Sequence, residues 1–233
     1  MKQIKIIGAL FVLLFMGCSD ANEVLDQYTE GGPILYSGKV NDLSFQSGYY
    51  RVKVNIFPAN DVNRANCLLS WSITNELRDS MLVDYSKADY TDSLNCYSVV
   101  IDLSKEKVQG NMWLSAQNID VFGNKSLVEE KGAFIYGDIY KSTLLNDRVS
   151  FNADGDVIIF DRKVGSVGNI VSYERADGTF SPEILLAEDE LALQNYKVGG
   201  LLKSKTRFLI KNTDIDTLET TYYTETKIPS PKR

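Results

Sequence analysis

Histidine is absent from the 233 residues. That absence removes Ser-His-Asp and Cys-His catalysis and every histidine-ligated metal site. Cysteine is scarce, with Cys18 near the start and only Cys67 and Cys96 beyond it. Proline is rare, and the apolar fraction of 44% is ordinary, so nothing suggests bulk disorder. Basic residues are outnumbered 25 to 31 and form no basic stripe, which makes nucleic acid a poor partner. The N-terminal apolar run, Ile6 to Met16, is too short to cross a membrane, since a span needs roughly 20 residues.

That run has another reading. Lys2 and Lys5 precede it and Gly17-Cys18 closes it, the layout of a secretory signal. Phe15-Met16-Gly17 lacks the small-x-small site of a plain secretory signal. The stretch Phe15-Met16-Gly17-Cys18 resembles the lipobox of bacterial lipoproteins, with Phe15 where that motif favours Leu. The resemblance implies that residues 1–17 are a signal peptide and that Cys18 is acylated as the first mature residue. Several acyl chains would hold the chain stably on a membrane, where one would not. Loss of Lys2 and Lys5 leaves 23 basic against 31 acidic residues, a formal charge of −8. Residues 18–32 are polar and acidic and read as a tether, reaching at most about 3.5 Å per residue.

From Ile34 the pattern becomes short runs of period two broken by turn residues. Strands are expected at 34–40, 49–57, 67–73, 81–85, 96–103, 112–119 and 126–136. In 49–57, Tyr50, Val52, Val54 and Ile56 alternate with Arg51, Lys53 and Asn55, which marks a half-buried strand. Seven strands in about 100 residues indicate an immunoglobulin-type sandwich over 33–137. Residues 138–147 form a connector too apolar, at Ile139, Tyr140, Leu144 and Leu145, to be a free linker. Strands are expected again at 157–161, 170–175, 179–186, 191–196, 207–211 and 221–226, with Ala176-Asp177-Gly178-Thr179 as a hairpin turn. Residues 185–193 also fit a short helix. The second sandwich spans 148–228, and 229–233 is a polar tail. The fold class is thus all-β, with two tandem immunoglobulin or fibronectin type III-like sandwiches after a signal.

Strand parity argues against a disulfide. Cys67 alternates in phase with Leu69, Trp71 and Ile73, whereas Cys96 is out of phase with Tyr97, Val99, Ile101 and Leu103.

Trp71 on the third strand and the turn Asp120–Ser126 between the last two look like fibronectin type III, with Met112 or Trp113 at the place of that family's corner tyrosine. Ile34–Lys39, Tyr50–Val54, Asp120–Ser126, Ile135–Tyr140 and Leu144–Asn146, in that order, resemble a Bacteroidota lipoprotein family of tandem fibronectin type III-like domains. Proteins similar to these tend to be encoded beside outer-membrane glycan-uptake machinery. The resemblance implies an outer-membrane lipoprotein at the cell surface, with the periplasmic face as the alternative. It implies polysaccharide binding or uptake, with glycans or uptake proteins as partners.

No cofactor, metal or catalytic residue is expected. Asn152, Asp154 and Asp156 alternate as in a calcium loop, but Gly155 comes too early and Lys163 stands where an EF-hand needs Glu. They read as a hairpin turn, as do Asp214 and Asp216. Paired carboxylates serve glycosidases, yet Glu129-Glu130 and Glu188-Asp189-Glu190 read as solvated faces. A binding module for sugars needs aromatic rings outside its core. Parity puts Trp113 opposite Met112, Leu114 and Ala116, which makes it the candidate glycan contact; the other reading is a domain-interface or second-core position. Tyr49 and one of Tyr222 and Tyr223 are further outward candidates. Asp79-Ser80-Met81, Asp92-Ser93-Leu94 and Asp216-Thr217-Leu218 resemble a bacterial O-glycosylation signal, each between expected strands. The rival function is a structural or adhesive surface protein whose sandwiches dock a protein partner.

Overall fold

A computed structural model describes residues 36–73, 77–211 and 214–231; the signal and the whole tether with Cys18 lie outside the described residues. The first sandwich comprises β1 (Val40–Ser47), β2 (Arg51–Pro58), β3 (Arg64–Ile73), β4 (Leu77–Asp84), β5 (Asp89–Thr91), β6 (Cys96–Asp102), β7 (Gly110–Asp120) and β8 (Glu129–Ile135). Two antiparallel sheets, β1-β2-β6-β5 and β4-β3-β7-β8, pack face to face. Period-two alternation sends Val52, Val54 and Ile56 inward from one sheet and Leu69, Ile73, Met112 and Leu114 from the other, forming one apolar core.

A short helix α1 (Asp138–Ser142) leads to the second sandwich: β9 (Arg148–Phe151), β10 (Val157–Asp161), β11 (Ser166–Tyr173), β12 (Ile184–Leu186), β13 (Glu190–Ala192), β14 (Leu201–Phe208), β15 (Leu218–Glu219) and β16 (Thr224–Lys227). Its sheets are β13-β10-β9 and β12-β11-β14-β15, with β16 also paired to β14. The second core holds Ile158, Phe160, Val171, Tyr173, Leu202 and Ile228. Strands β9, β10 and β13 repeat the places of β1, β2 and β6, and β12, β11, β14 and β15 those of β4, β3, β7 and β8. The fold is two tandem fibronectin type III-like sandwiches.

Several expected elements shift. Of the strand expected at 34–40, residues 34–35 lie outside the described residues and 36–39 are not strand; β1 begins at Val40 and runs to Ser47, with a register shift between Val40 and Asp42. The strand expected at 207–211 is instead β14, Leu201–Phe208. Its buried positions include Ser204 and Thr206, so apolar alternation could not mark it. Strand β9, inside the second sandwich, and the short β5 were not expected. The helix alternative for 185–193 is replaced by β12 and β13. In the connector, Tyr140 packs on Tyr136 with ring centroids 4.8 Å apart, while Ile139 and Leu145 stay exposed.

Both sandwiches belong to one compact unit, 37–233. Their joint is made by the β14–β15 loop against the β1–β2 turn. Ile215 N–H donates to Ser47 O at 2.8 Å and Tyr49 N–H to Asp216 Oδ2 at 2.9 Å. Arg51 grips both oxygens of Asp216 and, with the Tyr49 amide, holds that carboxyl below the usual carboxylate range. Tyr136 donates to Asp214 at 3.0 Å. Gly48 is required here, since a Cβ would stand 2.5 Å from Asp216 Oδ2.

Candidate functional site

The outer face of β4-β3-β7-β8 is built from the residues that alternate with the core. Met112 and Leu114 are fully buried, which drives Trp113 between them to the opposite face, 66% exposed. Cross-strand pairing places Ser72 on one side of Trp113 and Gly132 on the other. Directly opposed side chains in an antiparallel pair sit about 5 Å apart. A hydroxymethyl and a hydrogen therefore leave the indole uncovered on both flanks. A Cβ added at Gly132 would lie 3.8 Å from the ring, in ordinary contact.

The next row across the sheet is Ser80, Ser70, Ser115 and Glu130. With Arg78 and Asp79 these residues line a shallow groove of about 480 Å³ beside Trp113. A second groove of about 600 Å³ lies on its other flank, with Phe45, Asn111 and Phe134 along it and Lys211 and Asp214 of the second sandwich at its end. Lys131 spans the seam between β8 and β1 to reach Asp42 at 2.7 Å. An exposed aromatic platform, small hydroxyls and one guanidinium among carboxylates can stack on a flat apolar face and hydrogen-bond a polyhydroxylated rim.

The family follows from the sequence match. Residues 18–218 match DUF4998, described as a domain of unknown function. The chain belongs to the DUF4998 family. No curated protein matches this DUF4998 chain. Among solved structures, it is similar to the chicken CNTN1 FN1–FN3 domains at 9% identity and TM-score 0.42, covering 84% of this chain and 66% of that one. It is also similar to a two-domain fibronectin type III segment from chicken tenascin at 10% identity and TM-score 0.33, covering 81% and 98%. The DUF4998 chain thus spans about two thirds of the length of the CNTN1 segment.

The other sequence candidates scatter. Tyr49 is half-buried in the joint and hydrogen-bonds Asp138, which pushes its hydroxyl up to about 12. Tyr222 is exposed; Tyr223 is tied to Glu183, with the Lys205 ammonium 4.3 Å from its ring centre. Asn152 accepts from the Asp156 and Val157 amides, closing the β9–β10 hairpin with Gly155 at φ 77°. Among the described residues no cluster of acidic or cysteine side chains is arranged to hold a metal ion. Cys67 and Cys96 are free and buried; burial pushes the Cys67 thiol up to about 11. Ser80 lies within β4 rather than between strands, because β4 starts four residues earlier than expected. Ser93 and Thr217 are exposed outside strands.

Sequence reasoning missed a buried polar network under the connector. Asp147 accepts from Lys163 N–H at 2.9 Å, the Ser166 hydroxyl at 2.6 Å and the Asn169 amide at 3.1 Å. Its own N–H donates to Thr206, whose hydroxyl donates to Asn169 Oδ1 at 2.8 Å. The buried polar positions alternating along β14 were the available signal.

Proposed function

We propose that this chain is a non-catalytic surface lipoprotein, held in the outer membrane through Cys18, whose first sandwich binds carbohydrate at the Trp113 face in polysaccharide capture or uptake. The observation that carries the reading is the exposed indole between Ser72 and Gly132. A large apolar ring kept bare over a hydroxyl-lined groove is a poor arrangement for a free surface and a good one for a sugar ring. Arg78 is matched by Asp79 and Glu130, and Lys211 by Asp214, so the grooves favour neutral glycans over anionic ones. The lipobox-like stretch supports the anchor, and the family match itself begins at Cys18. With no histidine, neither groove has the usual acid–base group of neutral pH.

The test is a glycan array probed with the soluble Ser19–Arg233 body and with its Trp113→Ala variant. Binding to a set of neutral glycans that the variant loses is the expected result. An unchanged pattern ends the assignment of Trp113. A protein-docking role is favoured by one observation, the exposed Leu82 on edge strand β4. Capture of a single protein partner with no glycan signal would decide for it.

A further inference from the structure

One end of the first sandwich carries exposed apolar groups unrelated to the Trp113 face. Three loops meet there: 59–63 after β2, 92–95 after β5 and 121–128 after β7. Val62 is 93% exposed, Phe122 75% and Leu94 58%, and Val121 and Leu127 beside Phe122 are exposed as well, so every one of the three loops lifts large apolar side chains into solvent. The loops adjoin one another. Val121 N–H donates to Asn63 O at 2.8 Å, and Asn95 lines the same small cleft as Ala59 and Asn60.

None of the three is slack. Asp120 accepts from the Phe122 and Asn124 amides at 2.9 and 2.8 Å, which fixes Phe122 outward. Arg64 donates to the carbonyls of Ala59 and Asp61 at 2.9 and 3.0 Å, and Leu94 N–H donates to Thr91 O at 3.2 Å. Native folds usually bury or occupy such a group of apolar tips.

The path of the chain bears on what could cover them. The polypeptide enters the sandwich at this end: Gly38 N–H and the Ser37 hydroxyl both donate to Asp61, at 2.7 and 3.1 Å, and β1 begins opposite Pro58. Residues 19–35 are all that separate Cys18 from Tyr36, a reach of at most roughly 60 Å. The opposite end of this sandwich is taken by the joint with the second. We propose that Val62, Leu94 and Phe122 seat in the surface of the lipid bilayer that holds Cys18, so that the three-loop end stands on the membrane and the Trp113 face stands clear of it. This rests on the anchor reading above and not on the carbohydrate reading. Asp61 and Asp120 stay ionised with their oxygens on the chain's own amides, and the exposed Asp92 and Lys125 in these loops are of opposite sign, so the seating is carried by the apolar tips and is little affected by salt.

The test uses the full lipidated chain in phosphatidylethanolamine–phosphatidylglycerol vesicles, with a nitroxide at Phe122→Cys and, separately, at Lys105→Cys in the loop between β6 and β7. The buried Cys67 and Cys96 leave those positions free for selective labelling. The expected result is a Phe122 site open to oxygen and shielded from a nickel chelate at low and high salt, with the Lys105 site open to the chelate. A Phe122 site as open to the chelate as Lys105, in protein that sediments with the vesicles, overturns the proposal and leaves the anchor standing. Protein that does not sediment overturns both. Shielding that appears only with outer-membrane extract also overturns it, in favour of a protein partner.

Discussion

Strands β7 and β14 hold the same place in their sheets, yet they place their apolar and polar side chains differently. Inward, β7 presents Met112, Leu114 and Ala116 and only then, at its end, Asn118 and Asp120, whereas β14 places Ser204 and Thr206 in mid-strand between Leu202 and Phe208. Outward, β7 presents Trp113 and small polar groups. Strand β14 presents Lys203, Lys205 and Arg207, each with a partner: Glu225 at 3.3 Å, the Tyr223 ring at 4.3 Å and Glu219 at 3.7 Å. One sandwich spends its apolar residues on the core and leaves a ring bare outside. The other buries Thr206 of β14 in a hydrogen-bonded network at mid-strand and pairs each outward cation of that strand. An uncovered aromatic face is therefore found on the first, and a polar network under mid-strand on the second.

The largest effect that would sharpen this contrast is Asp147→Ala. It strands three donors and should destabilise by about 3 kcal/mol. Urea unfolding followed by hydrogen exchange should show the second sandwich opening while β7 amides stay protected; loss of both in one step would break the distinction. Next come two neighbours on β7. Leu114→Ala should cost about 3 kcal/mol by opening a cavity in the first core, and Trp113→Ala within about 0.5 kcal/mol. Equal losses would mean that Trp113 is structural.

The joint gives smaller effects. Asp216→Ala should cost about 1 kcal/mol or less, because Arg51 is half exposed, but it should broaden the distribution of angles between the sandwiches in small-angle scattering. Acid should do the same. The Asp216 carboxyl is held below its unfolded value near 4, so its contribution is whole above that pH and fades as the pH falls below it. A joint equally rigid at pH 7 and at about pH 3 would deny the carboxylate that role.

The elements best read from sequence were those whose buried face is apolar without interruption, such as β2, β3 and β10. The outward direction of Trp113 followed from the same parity. Strand β14 was displaced because Ser204 and Thr206 occupy inward positions, and the partners of Thr206, which are Asn146, Asp147 and Asn169, lie some 40 to 60 residues away in the chain. Asp214 and Asp216 read as turn residues and do lie in a loop. Their partners Tyr136 and Arg51 are more than 70 positions distant, beyond any local pattern. The bare flank of the indole was equally hidden, since it depends on Gly132 pairing across from Trp113.

That flank offers the most direct test. Affinity electrophoresis of the intact body through a polysaccharide selected by the glycan array should show retardation of wild type, none of Trp113→Ala, and a reduced effect for Gly132→Ile, whose side chain shades the ring while suiting a strand. All three should share one urea midpoint. Equal retardation of the three proteins would contradict the claim that the outer face of the first sandwich is where this protein meets its ligand.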